Sequence, residues 1–175
     1  RFSIGGIMSI QIPLKQGQFA IIDNEDFNLV KDYKWHLKKE RYTYYVRANI
    51  RLSSGKYKMI RLHRLILNLS NSEICDHING NGLDNRKINI RIATHAQNNA
   101  NRKKAQKKSS KYKGVCWNKE RNLWQANIYL DQKTINLGCF ANEEEAAKVY
   151  NSSAVKLFVA FAKLNIIPPR AVFLL

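Results

Sequence analysis

Cys75-Asp76-His77-Ile78-Asn79-Gly80-Asn81-Gly82-Leu83-Asp84-Asn85-Arg86-Lys87-Ile88-Asn89-Ile90-Arg91 is the stretch on which the reading of this chain turns. Gly80 and Gly82, set among Asn79, Asn81, Asp84 and Asn85, form a tight polar loop, because glycine and short polar side chains tolerate the backbone angles of sharp turns. Short apolar strands flank the loop on both sides. Downstream, Thr94 can cap a helix that begins near His95 and carries Asn98 and Asn101 on one face. The expected order is strand, loop, strand, helix, an arrangement that brings Asp76 and His77 towards Asn98.

An aspartate carboxylate and an asparagine carbonyl oxygen are hard ligands suited to magnesium or manganese. Two protein ligands leave positions for water and a phosphate oxygen, which is what a phosphodiester cutter needs. A histidine beside them, with an ordinary pKa near neutrality, can take a proton from the attacking water. That role requires His77 to face the substrate. Alone, an Asp–His pair is usually a surface hydrogen bond; combined with the loop, an asparagine-bearing helix and a strongly basic chain it says more.

The chain is 175 residues long, with 30 Lys and Arg against 13 Asp and Glu, a formal charge of +17. Its apolar fraction of 45% predicts folded cores and excludes a disordered chain. A charge of this size disfavours compactness unless a polyanion offsets it, and nucleic acid is the expected partner. No apolar run approaches the roughly 20 residues that span a bilayer, so no membrane role is expected. Cys75, Cys116 and Cys139 lie far apart with no CxxC, which supports neither a zinc ribbon nor a disulfide framework. Residues 1–7 lack a signal-peptide layout. The expectation is an intracellular protein, in the cytoplasm of a host cell or a DNA-containing organelle or nucleus, with no obligate protein partner.

Residues 8–60 read as a small β-rich region. Tyr44, Val46, Ala48, Ile50 and Leu52 alternate with Tyr45, Arg47, Asn49 and Arg51; Ser53-Ser54-Gly55 supplies a turn, and Tyr57 to Leu62 return as the partner strand. Tyr33 and Trp35 are expected to pack on the other side. From Arg102 to Lys113 the chain is dominated by cations (Arg102, Lys103, Lys104, Lys107, Lys108, Lys111 and Lys113) and apolar periodicity vanishes. Residues 104–111 are therefore taken as a basic linker that tracks a DNA backbone.

Beyond the linker, Trp124, Ala126 and Ile128 alternate with Gln125, Asn127 and Tyr129, and Ile135 and Leu137 alternate with Thr134 and Asn136. A helix opens at Asn142, a good N-cap, with Glu145 three residues on. One face of that helix, with Ala146, Ala147, Tyr150, Ala154, Leu157 and Phe158, must cover one side of the sheet. The other side stays polar and open, a candidate for the DNA major groove.

Asp76-His77-Ile78-Asn79-Gly80, followed by Leu83-Asp84-Asn85-Arg86, Asn89-Ile90-Arg91 and Gln97-Asn98, closely resembles the HNH motif of phage and intron homing endonucleases. The resemblance implies a ββα-metal fold over residues 61–103, with Asp76 and Asn98 holding Mg2+ (or Mn2+) and His77 acting as general base. It implies that Asn89 ties the loop and orients His77. His63 and Arg64 match a recurrent upstream pattern, either as a phosphate contact or as packing. His95 and Asn99 are the register competitors of Asn98.

Tyr112-Lys113-Gly114-Val115, Trp124-Gln125-Ala126-Asn127-Ile128, Leu137-Gly138-Cys139-Phe140, Glu144-Glu145-Ala146-Ala147, Tyr150 and Phe161-Ala162-Lys163-Leu164-Asn165 are similar to an AP2 domain over residues 112–165. That family occurs in plant transcription factors and fused to phage HNH nucleases, and its sheet lies in the major groove. The resemblance makes Lys113, Cys116, Asn118, Asn127, Tyr129, Thr134 and Asn136 the reading positions, while the charge of the linker puts Lys103, Lys104, Lys107, Lys108 and Lys111 on the DNA backbone. The plant family has arginines at several sites where this chain has Cys116, Asn118, Tyr129 and Thr134, which implies fewer bidentate guanine contacts.

The expected architecture is thus α+β: a β-rich N-terminal region, a ββα-metal motif, and a three-stranded antiparallel sheet packed on one helix. The expected function is a metal-dependent, homing-type DNA endonuclease acting on double-stranded DNA, with one motif per chain predicting nicks by a monomer, or a double-strand break only if two copies act together. The competing reading is a catalytically inactive, sequence-preferring DNA-binding protein or transcriptional regulator.

Overall fold

The computed structural model describes residues 2–4, 7–40, 43–104 and 109–169. The fold is mixed α+β, built from small antiparallel sheets and short helices, and it divides into two compact units, Arg1–His95 and Ala96–Leu175. Among the described residues, no helix is long and apolar enough to cross a membrane.

In the first unit, β1 (Phe2–Ile4), β2 (Ile7–Pro13) and β3 (Phe19–Asp23) form one antiparallel sheet, followed by the single-turn helix α1 (Phe27–Val30). A second sheet joins β4 (His36–Lys39), β5 (Tyr44–Arg51) and β6 (Tyr57–Arg61), in that order. The period-two pattern holds at the centre of β5, where Val46 and Ala48 are buried while Asn49 and Arg51 are exposed. The expected return strand stops at Arg61. Leu62 instead starts helix α2 (Leu62–Ile66), because Leu62 and Ile66, four residues apart, then bury together on one helical face. Trp35 is buried beside Tyr33, and its indole N–H donates to the Val30 carbonyl at 2.9 Å.

A two-stranded sheet, β7 (Ile74–His77) with β8 (Ile90–Ala93), completes this unit. The core that holds Ile22, Val30, Trp35, Val46, Leu62 and Ile66 also contains Ile90 from β8. The N-terminal region and the strands of the motif therefore share one core. The β7–β8 loop is also built onto the first sheet. Ile21 on β3 donates its N–H to the Leu83 carbonyl at 2.8 Å and accepts from the Asn85 N–H at 2.7 Å, a parallel bridge opposite Asp84.

The second unit begins in helix α3 (His95–Asn101), of which all but the first residue belongs to it. Ala100 is buried with Ile128, Tyr150, Ala154 and Phe158, which makes the helix end part of this unit's core. The sequence-based boundary in the basic stretch follows charge, whereas the compact unit starts earlier, where α3 finds its apolar partners. Three antiparallel strands follow, β9 (Val115–Asn118), β10 (Leu123–Leu130) and β11 (Lys133–Phe140), with β10 central. Asp131 and Gln132 link β10 to β11 with φ of 46° and 62°, the twist a two-residue hairpin needs. Helix α4 (Glu143–Phe158) starts where the sequence placed it: Asn142 Oδ1 accepts from the Glu144 N–H at 2.7 Å and the Glu145 N–H at 3.3 Å. Its Ala146, Ala147, Tyr150, Ala154 and Phe158 are buried.

Gly114 sits beneath α4 with φ of 76°, and a Cβ there would come within 2.0 Å of the Tyr150 ring and 2.7 Å of the Asn127 carbonyl oxygen. Gly114→Ala combines a strained backbone with overpacking and is expected to destabilise the second unit by about 2 kcal/mol or more. Urea unfolding of the variant beside the parent checks this; an unchanged midpoint would mean the approach of Tyr150 is not needed.

Candidate functional site

Within the first unit, β7 delivers Asp76 and His77, and the loop that follows is tied by its own amides. Asn89, buried, donates from Nδ2 to the Asp84 carbonyl at 2.7 Å and accepts at Oδ1 from the Asn79 N–H at 3.0 Å. Asn79 Oδ1 accepts from the Asn81 N–H at 2.8 Å, and Asn81 Oδ1 from the Leu83 N–H at 3.1 Å, so successive side chains supply what the turning backbone lacks. Asp84 is gripped by both ends of the Arg86 guanidinium at 2.7 Å. Burial pushes its carboxyl up, but the hydrogen bonds and charge of Arg86 outweigh that and hold it below the ordinary carboxylate range. Gly82 crosses β5 so closely that a Cβ would lie 2.2 Å from the Tyr44 carbonyl oxygen.

Asp76, 4% exposed, faces Arg91 across the β7–β8 pair, and Arg91 Nε and Nη2 donate to its Oδ2 at 3.0 and 2.9 Å. The sequence reading did not use Arg91. The signal was available in the hairpin register, since opposite charges on directly paired residues stabilise antiparallel strands.

His77 departs from the expectation of a base open to substrate. It is 5% exposed, because Tyr45 from β5 and His63 from α2 cover it, at ring-centroid distances of 5.7 and 5.0 Å. Its Nε2 lies 3.4 Å from Oδ1 of the fully buried Asn85. Asn85, which sequence reasoning treated as a turn residue, thus contacts the imidazole, while Asn89 holds the loop. Burial lowers the His77 pKa, although Asn85 and the carboxylates of Asp76 and Asp84 pull the other way. The same burial, aided by His77, Arg61 and Arg64, takes His63 down to about 3. Both imidazoles are therefore neutral at neutral pH, the form that accepts a proton.

His63 and Arg64 sit differently from a phosphate-contacting pair. His63 is buried, stacked edge-on to His77, and its Nδ1 has no hydrogen-bond partner among the described residues. Arg64 donates to the carbonyls of Glu73, at 2.7 Å, and Ser70, closing the turn that leads into β7. The burial of the one and the carbonyl contacts of the other correspond to the packing reading.

Asp76, His77 and Asn89 come together within the first unit; Asn98 belongs to the second, half-exposed on α3. Its side chain makes no hydrogen bond to another described residue, whereas Asn99 Oδ1 accepts from Arg102 Nη1 at 3.0 Å. His95 is exposed at the start of the helix.

Lys113 serves the end of that helix. Its ammonium donates to the carbonyls of Asn99 (3.3 Å), Ala100 and Arg102 (2.7 Å), groups a helix C-terminus leaves without partners. Burial brings its pKa down to about 8, which leaves it mostly charged at neutral pH. The sequence makes Lys113 a reading position; here its donors are turned to backbone carbonyls.

The outer sheet face carries the other expected positions. Tyr129, Thr134 and Asn136 are exposed, and Asn118 and Asn127 are half-buried in a side-chain network. Gln125 lies between those two amides and was overlooked, although its position two residues before Asn127 puts it on the same face. Lys103 and Lys111 are exposed and Lys104 is half-exposed; Lys107 and Lys108 lie outside the described residues.

No protein-family profile and no solved structure matches the chain. It is 33% identical over 156 residues to a protein of Acanthamoeba polyphaga mimivirus described as an uncharacterized HNH endonuclease, covering 86% of this chain and 76% of that one. It is 31% identical over 101 residues to Protein 3.8 of Escherichia phage T7, covering 55% of this chain and 84% of that protein. Over a shorter span of 47 residues it is 47% identical to an AP2/ERF and B3 domain-containing transcription factor of Arabidopsis thaliana, covering 27% of this chain and 14% of that protein.

The buried histidines set an acid limit on stability. The unfolded chain protonates His63 below about pH 6.5, whereas the folded chain resists until about 3, so stability is lost as pH falls through that window. His63→Phe keeps a ring against His77 while removing both the titration and the unpartnered Nδ1. Urea unfolding between pH 7 and 4 is expected to show a shallower loss for the variant, by up to about 1.4 kcal/mol per pH unit. Equal pH slopes in parent and variant would contradict the assignment.

Proposed function

The chain belongs to the HNH endonucleases, and from that premise we propose that it is a metal-dependent endonuclease that nicks double-stranded DNA and is targeted by the AP2-like sheet of its second unit. The observation that carries this reading is the pairing of a buried aspartate with a neutral histidine at the end of β7, above a loop immobilised by Asn79, Asn85 and Asn89. Preorganisation of this kind is what phosphoryl chemistry asks of a protein, because positioning and charge stabilisation supply most of the rate.

In this reading Asp76 and the half-exposed amide of Asn98 would be the residues to hold a magnesium or manganese ion. An all-oxygen donor set fits such a hard cation, which keeps much of its water. When bound, the ion neutralises charge developing on the phosphate and the leaving oxygen. His77, neutral, takes the proton of the attacking water, and Asn85 holds the imidazole while it does so. Arg91 already occupies Asp76 Oδ2.

The burial of His77 and the hold of Arg91 on Asp76 favour a second reading, a DNA-binding protein that does not cut. Supercoiled plasmid with and without magnesium separates the two. The nuclease reading expects magnesium-dependent nicks from the parent, a loss of at least about 100-fold in His77→Ala, loss of cutting in Asp76→Ala, and retained DNA affinity in both variants. A parent that binds DNA without nicking it under magnesium or manganese sides with the binder. Cutting by both variants at the parent's rate means another site does the chemistry.

A further inference from the structure

On the outer sheet face, three side-chain amides are locked in series. Asn118 Nδ2 donates to Gln125 Oε1 at 3.1 Å, Gln125 Nε2 donates to Asn127 Oδ1 at 3.1 Å, and Asn127 Nδ2 points to Cys116 Sγ at 3.5 Å. The series is anchored at its start, where Asn118 Oδ1 accepts from the Arg121 N–H at 3.0 Å. Turning Asn118 or Gln125 over would set oxygen against oxygen or N–H against N–H on both sides, and turning Asn127 over would set N–H against N–H at Gln125. The donor and acceptor positions are therefore fixed before any ligand arrives.

An amide carries two N–H donors and two oxygen lone pairs. Gln125, Asn118 and Asn127 each use one of each within the series. Among the described residues, each is left with one donor and one acceptor. In the major groove adenine offers N7 as acceptor and N6–H as donor, the complement of that pair. Guanine offers two acceptors, and cytosine only a donor. The half-buried Cys116 and Cys139, paired across the strands with Gln125 from either side, give an apolar surround of the kind a thymine methyl fits. Exposed Lys119, Arg121 and Lys133 lie at the strand ends, and the chain's +17 charge complements phosphate.

We infer that Gln125, with Asn118 and Asn127 beside it, is a specificity-determining residue that reads adenine, so that the target of this face is built from A·T pairs. This rests on the reading of the second unit as the DNA-targeting part. Sequence-independent affinity comes from the cations, and base preference from the fixed amides.

Selection from a random duplex pool by the full chain, carrying His77→Ala and held in EDTA, reads the preference directly. Adenine is expected to be enriched at two or more positions, and replacing one with guanine should weaken binding by about ten-fold. Gln125→Arg should move the preference at one position from adenine to guanine, since arginine presents two donors. Gln125→Ala should abolish it there while the salt-dependent affinity for random DNA and the melting temperature stay near those of the parent. Enrichment of G·C pairs, no enrichment, or a preference that survives both Gln125 variants overturns the inference and leaves the targeting reading standing. A preference lost instead in Arg121→Ala assigns the reading to that guanidinium and also overturns it. A chain that binds no duplex even at low salt removes the targeting reading and this inference together.

Discussion

Two backbone hydrogen bonds at Ile21 govern the arrangement of the first unit's candidate site. They make residues 83–85 an extra edge of the N-terminal sheet, and they lie in the middle of the loop that separates Asp76 and His77 from Asn89. A long polar loop left to itself would sample many shapes, and fixing each residue costs about 1–2 kcal/mol of conformational entropy. Docking on β3 holds the loop at its centre, Asn89 ties its two ends, and the Lys87 N–H adds a bond to Asp23 at 2.7 Å. The N-terminal strands are thus part of the site's scaffold, and the shared core through Ile90 is the apolar side of the same attachment.

Electrostatics then set the resting state. Burying Asp76 without a partner would be costly, and Arg91 supplies one from the directly opposite position. His77 and His63 meet the same constraint the other way: they stay uncharged, with Tyr45 packed on both rings. The cost is visible at His63 Nδ1, a buried nitrogen with no partner among the described residues. Orphans of this kind cost roughly 1–3 kcal/mol. The result is a covered imidazole held in its uncharged form.

Much of this was legible in the sequence wherever the cause is local. The β5–β6 turn at Gly55 and the Asn142 cap follow from turn and cap chemistry within a few residues. The Asp76-His77 loop was legible for the same reason, since its asparagines bond their own backbone neighbours. The failures all involve partners distant in the chain. Tyr45 and His63 cover His77 from 32 and 14 residues upstream, and no period in the sequence reports that. Lys113 looked like one more cation in a basic run, but its helix-end carbonyls lie 11 to 14 residues before it. Arg91 and Gln125 were within reach, because strand register and side-chain alternation alone place them.

The second unit shows why net charge is a poor guide to recognition. A surplus of 17 positive charges accounts for attraction to any polyanion, yet the centre of the exposed sheet is almost free of charge, carrying amides, hydroxyls and thiols. Long cations at that centre would be adaptable and so less discriminating, whereas short amides bonded to one another keep one orientation at little further entropic cost on binding. The bulge between Ala126 and Asn127 adds to this. It shifts the register so that Asn136, and not Leu137, lies opposite Asn127, keeping a polar residue on the outer face while Leu137 packs towards the core. A one-residue irregularity in β11 thus separates the apolar side that α4 covers from the polar outer side.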